Sequence, residues 1–282
     1  MLKGFAIPRS PLGIAALIPP PPWHFAGDVL AVEYWSDPDL SAYTLPKGVE
    51  PDAKGNGHAI ALFAEYQFTA QNEEHLDPAR YQACGFLVLQ DAMWQGLPIS
   101  WCPYAFVDND AALLRGWICG YPEKLGSVHQ TRAFAAGSPA SGPLASNSRF
   151  AACISSHGQL LAQARITLRE KLDHLVGLLD RPIVTRRHFP RLSADRPGTP
   201  APGTPAVDEL VRCIFENVVM TDIWVGEGAL AFPETFGEEL DILAPIKIGR
   251  GVRFSFSYSV SGCRILSNLT AETNKQTHVD PI

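Results

Sequence analysis

An acidic and a basic side chain stand next to each other in a short, conformationally restricted segment. Glu123 and Lys124 lie between Pro122 and Gly126, directly after Tyr121. A glutamate with a raised pKa can act as a general acid or base, and a neutral lysine amine can attack a carbonyl carbon. Adjacent Glu-Lys pairs are also common on surfaces, where they contribute about 0–1 kcal/mol. The segment is therefore either a reactive centre or an exposed ion pair.

Other polar and aromatic side chains are candidates for the wall of a binding site. Glu65 and Gln67 share one face of a predicted strand, which is either a pocket wall or an outer surface. Arg165 is a candidate for binding a substrate carboxylate, with a solvated outer face as the alternative. Trp101 and Trp117 are candidates for an apolar lining, although large aromatic side chains also fill cores and interfaces.

Several motifs in the sequence resemble the acetoacetate decarboxylase-like family. Its central signature matches Phe106–Asp110, then Gly116, then Gly120–Gly126. Further matches extend the resemblance over roughly residues 20–266; they are Pro20–Asp28, Glu33–Asp37, His157–Gln159, Thr221–Gly228 and Leu243–Pro245. The resemblance implies a fold centred on an antiparallel β-barrel, an enzyme for small carbonyl compounds, a homo-oligomer and substrate contact by Tyr121.

The chain departs from the family pattern at the reactive position. The Schiff-base lysine of the family is the first residue after the proline, where this sequence has Glu123, and only the second lysine is present, as Lys124. The Gly-Arg-Glu of the family reads Gly116–Ile118, and its Tyr-Thr-Glu reads Tyr81–Ala83. Glu65 falls within one residue of an acidic family position, which implies a second catalytic carboxylate. These departures argue against simple acetoacetate decarboxylation.

Glu123 and Lys124 compete for one functional position. An ionised Glu123 would hold the Lys124 amine protonated, and an unperturbed lysine pKa of about 10.4 leaves almost none of it neutral near pH 7. In an extended segment the two side chains point to opposite faces, so only one enters a cavity. The match to the family places Glu123 there. We therefore expect Glu123 to be the general acid or base, with Lys124 as charge stabiliser or Schiff-base nucleophile.

The expected function is that of a lyase-type enzyme of secondary metabolism. Its substrate would be a small β-keto or 2-oxo acid or a polyketide-like carbonyl compound, reacting by decarboxylation, aldol or retro-aldol chemistry, or dehydration. Two alternatives stay open: a non-covalent cyclase, isomerase or dehydratase, and a ligand-binding protein that has lost catalysis. The second is suggested by the missing arginine and glutamate partners. Neither a cofactor nor a metal is expected.

Composition restricts the class of protein. The 282 residues carry a formal net charge of −6, which argues against nucleic acid or an anionic membrane as the partner. No apolar run reaches the length of a membrane-spanning helix, and the N-terminal region is a poor signal peptide, so we expect a cytoplasmic protein. The six cysteines lack CxxC spacing, which favours buried free thiols over a disulfide framework or a zinc site.

The sequence predicts mostly strands with a few short helices. Val252–Val260 alternates strictly between apolar and polar residues, as a half-buried strand requires. The other predicted strands are Ala59–Phe68, Gly85–Gln90, Trp101–Val107, Arg149–Ile154, Leu160–Leu168 and Glu216–Val225. His157 is predicted to lie in a hairpin turn. A short capped helix is predicted over Asp37–Leu45, and another short helix or strand over Glu234–Leu243. We expect one domain over residues 1–266, with a proline-rich loop at 191–207 and a flexible tail at 267–282.

Overall fold

The computed structural model describes residues 1–191 and 205–269 and is dominated by strands, which confirms the predicted mainly-β fold. Thirteen strands are present in these ranges: β1 Trp23–Trp35, β2 Glu50–Pro51, β3 His58–Thr69, β4 Gln82–Trp94, β5 Leu97–Trp101, β6 Ala105–Val107, β7 Glu123–Leu125, β8 Ser127–Gln130, β9 Arg149–Ser156, β10 Gln159–Leu172, β11 Ile183–Phe189, β12 Val207–Ala231 and β13 Lys247–Asn268. Most of the predicted proline-rich loop and of the predicted tail lies outside the described residues.

Strand pairing closes part of the sheet into a ring. The order β11-β5-β4-β3-β1-β13-β12 returns to its start, because β11 also pairs with β12. Most neighbours are antiparallel, as predicted, but β5 pairs with β11 and β6 with β7 in parallel. From β12 the sheet continues through β10, β9 and β8. This ring is the counterpart of the predicted barrel.

Strand β1 separates two apolar regions. Phe25 and Val29 point to the ring interior, whereas Leu30 and Val32 pack in the core that contains Phe150 of β9. Successive side chains of a strand point to opposite faces, so a strand covered on both sides reads as a nearly continuous apolar run. The middle of β1 accordingly reads Val-Leu-Ala-Val.

Three short α-helices complete the described chain: α1 Pro38–Ala42, α2 Pro78–Tyr81 and α3 Asp110–Ile118. Helix α1 confirms the predicted capped helix, because the Asp37 side chain accepts hydrogen bonds from the Asp39 and Leu40 amides. The predicted element at Glu234–Leu243 is reduced to a 3-10 turn over Leu240–Leu243, and another 3-10 turn spans Glu74–Leu76. Within the described ranges, no helix is both long and apolar enough to cross a membrane.

Two local expectations need correction. The predicted strand Trp101–Val107 is two strands, because β5 ends at Trp101 and β6 begins at Ala105, with Pro103 in the interval. Helix α3 was not predicted from the sequence. Its N-cap is Asn109, whose side chain accepts a hydrogen bond from the Ala112 amide at 2.8 Å.

The predicted turn at His157 is confirmed. His157 and Gly158 have φ values of 49° and 77° between β9 and β10. Two consecutive positive φ values are typical of the tight turn that joins antiparallel strands.

Candidate active site

A cavity of about 360 Å³ lies against the inner face of the ring. Apolar side chains from several strands form most of its wall; they include Phe25, Val29, Leu62, Met220, Phe254 and Phe256. A few polar groups enter this lining, chiefly Glu123, Arg115 and three tyrosines. An apolar cavity with a small set of converging polar groups is typical of a small-molecule site.

Glu123 is the buried acid of this cavity. Its main chain is held by pairing of β7 with β6, opposite Ala105, and by the Trp117 indole, which donates to the Glu123 carbonyl at 2.8 Å. The Oε2 atom is buried and has no hydrogen-bond partner among the described residues. Burial raises the pKa of Glu123 to about 8. The carboxyl group can therefore exchange a proton near neutral pH.

Gly116 makes room for this carboxyl group. A Cβ atom at position 116 would stand 1.9 Å from Glu123 Oε2 and 2.1 Å from its Cδ. Since Gly116 is on α3, the helix backbone itself forms the wall against which the carboxyl group packs. The next turn is fixed at Gly120, whose φ of 81° ends the helix.

Arg115 supplies a buried cation beside the acid. The residue is 8% exposed, and its Nη2 donates to the Tyr66 hydroxyl at 2.8 Å. Its guanidinium lies 4.8 Å from the ring centre of Phe25 and 4.9 Å from that of Phe68. In the described part of the chain, no carboxylate forms an ion pair with Arg115. The Arg115 charge lowers the pKa of Glu123 and partly opposes the effect of burial.

Three tyrosines add hydroxyl groups to the same lining. Burial raises the pKa of Tyr66 to about 12 and holds the pKa values of Tyr121 and Tyr258 above the ordinary tyrosine value. These phenols therefore stay neutral and keep their protons available for hydrogen bonding. Of the predicted site residues, Glu123 and Tyr121 are the two that the structure brings together in this cavity.

Lys124 lies outside the cavity. Its amine pairs with Glu238, and its side chain is 49% exposed. Strand β7 is extended, so the lysine points away from the face on which Glu123 lies. Among the described residues that line the cavity there is no lysine.

Glu65 and Gln67 occupy the opposite face of the sheet. They line an outer depression together with Asp28, Gln82 and Ser255. Glu65 accepts a hydrogen bond from Arg132 Nε at 2.9 Å. Along β3, Tyr66 reaches the cavity, whereas its neighbours Glu65 and Gln67 line only the depression, to which Tyr66 also contributes.

The remaining predicted site residues are dispersed. Trp101 packs in a separate apolar cluster, and its indole donates to the Thr44 carbonyl at 3.0 Å. Trp117 is 42% exposed, and its indole contacts the main-chain carbonyl of Glu123 and not the carboxyl group. Arg165 lies exposed on β10. None of the three belongs to the described cavity lining.

The sequence patterns did not indicate Arg115, Tyr66 or Tyr258 as site residues, and they included Gly116 only as part of the family signature. A signal for Arg115 and Gly116 was present, because Ala111, Ala112, Arg115 and Gly116 form the buried face of α3 at helical spacing. An arginine on such a face needs a polar partner or an aromatic surface, and both are found here. Tyr66 lies between Glu65 and Gln67, which drew attention to the other face of the strand.

Comparisons with known proteins agree with this architecture. Residues 6–269 match the family model described as acetoacetate decarboxylase (ADC). No match was found among curated protein sequences.

Solved structures with the same fold include the enduracididine biosynthesis enzyme MppR complexed with pyruvate. It is 35% identical, with a TM-score of 0.85, and the match covers 95% of this chain and 99% of that chain. MppR has also been solved with the condensation product of pyruvate and imidazole 4-carboxaldehyde, again at 35% identity and a TM-score of 0.85, covering 95% and 97% of the two chains. An acetoacetate decarboxylase-like enzyme from Sphingomonas wittichii RW1 is 24% identical, with a TM-score of 0.83 and coverage of 94% and 100%, and shows the fold alone.

Proposed function

Because the chain belongs to the acetoacetate decarboxylase family, we propose that it is a lyase-type enzyme acting on a small 2-oxo or β-keto acid or a polyketide-like carbonyl compound. The observation that carries the proposal is the buried Glu123 carboxyl oxygen in an apolar cavity beside Arg115, which forms no ion pair with any described residue. The 35% identical MppR was solved with pyruvate and with a condensation product of pyruvate, which supports a 2-oxo acid as one reactant.

Proton transfer by Glu123 is the central step. Its ionised form accepts a proton from the carbon next to the substrate carbonyl, and the C–H electron pair moves into an enolate. Arg115 and the Tyr66 hydroxyl then stabilise the enolate oxygen or the substrate carboxylate by charge-assisted hydrogen bonds. The protonated Glu123 returns the proton to a carbon or to a leaving hydroxyl group, which departs as water. A pKa of about 8 makes both forms of Glu123 accessible near neutral pH.

This route needs no covalent bond to lysine. Lys124 lies outside the cavity and pairs with Glu238, and the described lining of the cavity contains no lysine. Arginine is fully protonated near neutral pH and is not a Schiff-base nucleophile. The geometry therefore favours non-covalent aldol, dehydration or isomerisation chemistry over the Schiff-base route, with Lys124 as a surface charge.

The proposal is tested with pyruvate and imidazole 4-carboxaldehyde, the compounds whose condensation product was bound in the MppR structure. We expect the wild-type protein to form a condensation or dehydration product, measured by liquid chromatography and mass spectrometry, and Lys124→Ala to retain that activity. Treatment with pyruvate and sodium borohydride should leave the intact mass of the protein unchanged. A reduced lysine adduct would exclude the non-covalent route.

The alternative of a binding protein that has lost catalysis gives a different result. Calorimetric titration would then show pyruvate bound by the wild-type protein, with no product formed from it or from a panel of 2-oxo and β-keto acids. Binding that depends on Arg115 together with turnover that depends on Glu123 supports an enzyme.

A further inference from the structure

Three cysteines from distant parts of the chain converge beside the cavity. Cys119 is the C-cap of α3, Cys213 is in β12 and Cys263 is in β13. Their sulfur atoms all lie within 4.8 Å of one another. No local spacing pattern indicates this cluster, because residues 119, 213 and 263 are far apart in the sequence and meet only through the fold.

The distances among the three sulfurs suit a single metal ion. Zn–S bonds of about 2.3 Å place neighbouring thiolates roughly 4 Å apart around one zinc ion. Cys213 and Cys263 are directly paired across β12 and β13, with their Sγ atoms 3.5 Å apart. A disulfide would use only two cysteines, whereas three thiols converge here, as three ligands of one metal ion do.

The main chain that carries the first thiol is firmly held. The Cys119 carbonyl accepts a hydrogen bond from the Thr185 hydroxyl at 2.7 Å, and its amide donates to the Arg115 carbonyl at 3.1 Å. Gly120 packs so tightly that a Cβ there would stand 2.8 Å from Val211 and 2.9 Å from Thr185. The three thiols are thus positioned by the scaffold without a ligand, which reduces the cost of binding one.

A fixed cation lies near the cluster. Arg187 donates to the Ile118 carbonyl at 3.3 Å, next to Cys119, and also pairs with Glu209. Binding of a divalent ion by three thiolates would release the thiol protons and leave a net charge of −1 at the site.

We propose that Cys119, Cys213 and Cys263 form a site for one thiophilic d10 cation of the Zn²⁺ class, bound through three thiolates. Cys119 and Cys213 line the same cavity as Glu123. The bound ion would therefore lie at the cavity wall, with its fourth coordination position directed to the cavity, as in zinc sites that have three protein ligands. This inference concerns a site separate from the proton-transfer group and does not depend on the proposed function.

Cadmium is the probe, because thiolate-to-cadmium charge transfer gives an ultraviolet absorption band. The full chain is reduced, stripped of metal with a chelator and titrated with Cd²⁺ under anaerobic conditions. We expect one equivalent of Cd²⁺ to bind and to protect three thiols from alkylation, as counted by mass spectrometry. In Cys263→Ala, affinity should fall on the order of 100-fold, because one of three thiolates is lost. Cys153→Ser, which lies outside the cluster, should bind as wild type does.

Several results would overturn the proposal. One is the absence of a charge-transfer band in the reduced wild-type protein; another is equal Cd²⁺ affinity in the wild type and Cys263→Ala. Protection of only two thiols, with a Cys213–Cys263 disulfide in the protein as purified, would identify a redox pair instead. Cys119→Ser provides a second variant if Cys263→Ala fails to fold, and circular dichroism of each variant checks its structure.

Discussion

Two glutamate–arginine sets lie on opposite faces of the sheet and differ in how their charges are compensated. On the outer face, Glu65 and Arg132 form an ion pair, and the arginine side chain is 54% exposed. On the inner face, Glu123, whose Oε2 atom is buried, and the buried Arg115 line an apolar cavity and do not form an ion pair with each other.

Whether a charged side chain already has an ion-pair partner determines whether it can interact with a ligand. The charges of Glu65 and Arg132 compensate each other in a pair whose arginine is exposed to solvent and whose glutamate side chain is 17% exposed; solvent screening through the arginine keeps the contribution of such a pair near about 0–1 kcal/mol. Glu123 Oε2 has no hydrogen-bond partner among the described residues, and Arg115 is held by a neutral hydroxyl and aromatic rings, so both groups can still interact with a charged or polar ligand. This difference supports the proposal that the inner face is the functional one, although residue types alone do not distinguish the two.

Removing the inner acid should have the largest effect. In Glu123→Gln, loss of proton transfer should reduce turnover of pyruvate with imidazole 4-carboxaldehyde by about 10²–10⁴-fold. The matched change on the outer face, Glu65→Gln, should alter turnover by less than about threefold, because Glu65 is held in a surface pair. Product formation is measured under identical conditions. Equal losses in the two variants would remove the distinction between the faces.

The inner acid should also make stability depend on pH. Between the ordinary glutamate pKa of 4.5 and about 8, the unfolded chain loses the Glu123 proton while the folded chain keeps it. The free energy of unfolding of the wild type should therefore fall relative to that of Glu123→Gln as pH rises through this range, by at most about 5 kcal/mol. Urea unfolding at pH 5 and pH 8.5 measures this difference. A difference that is the same at both pH values would contradict burial of a neutral carboxyl group.

The next largest difference should be between variants of Arg115 and Arg132, in kcat/KM. Arg115→Met removes a charged hydrogen-bond donor worth about 1.5–3 kcal/mol and should lower kcat/KM roughly 10- to 100-fold, mainly through KM for the 2-oxo acid. Arg132→Met should change kcat/KM less than about threefold. Steady-state kinetics with varied pyruvate separates kcat from KM. A KM that is unaffected by Arg115→Met would mean that the substrate carboxylate or carbonyl binds elsewhere.

Of the inner-face changes, a methyl group added at Gly116 on α3 should have the smallest effect on stability and turnover. Gly116→Ala places a Cβ in the space of the Glu123 carboxyl group and should cost about 1–3 kcal/mol of stability while displacing the acid. Gly142→Ala is the control, because nothing lies within 4 Å of the added atom. Thermal unfolding and turnover are measured together. Wild-type values for both in Gly116→Ala would show that the carboxyl group does not pack on this glycine.

Much of the fold could be predicted from local patterns. The alternation of Val252–Val260 and the turn at His157 are short-range signals, and both correspond to the structure. Helix α3 was not predicted because its two signals, the Asn109 cap and the helical spacing of its buried face, are weak: that face consists of two alanines, an arginine and a glycine. The sequence also could not show that β5 meets β11 in parallel, since ring closure depends on long-range pairing.

The candidate site was only partly accessible from sequence. Alternation in a short extended segment indicated that one of Glu123 and Lys124 enters a cavity, and the structure places Glu123 there. The same alternation does not say which face of β3 is the inner one, so Glu65 and Gln67 were selected while Tyr66 was missed. Arg115 and the tyrosines meet Glu123 only through contacts between distant elements.

Infrared spectroscopy of the Glu123 carboxyl group tests the central claim most directly. The difference spectrum between the wild type and Glu123→Gln isolates the stretch of this one group, with ¹³C-labelled glutamate as a check of the assignment. We predict a protonated carboxylic acid band at pH 6.5 that disappears with a midpoint near pH 8. A carboxylate band throughout the range from pH 5.5 to pH 9 would contradict the account.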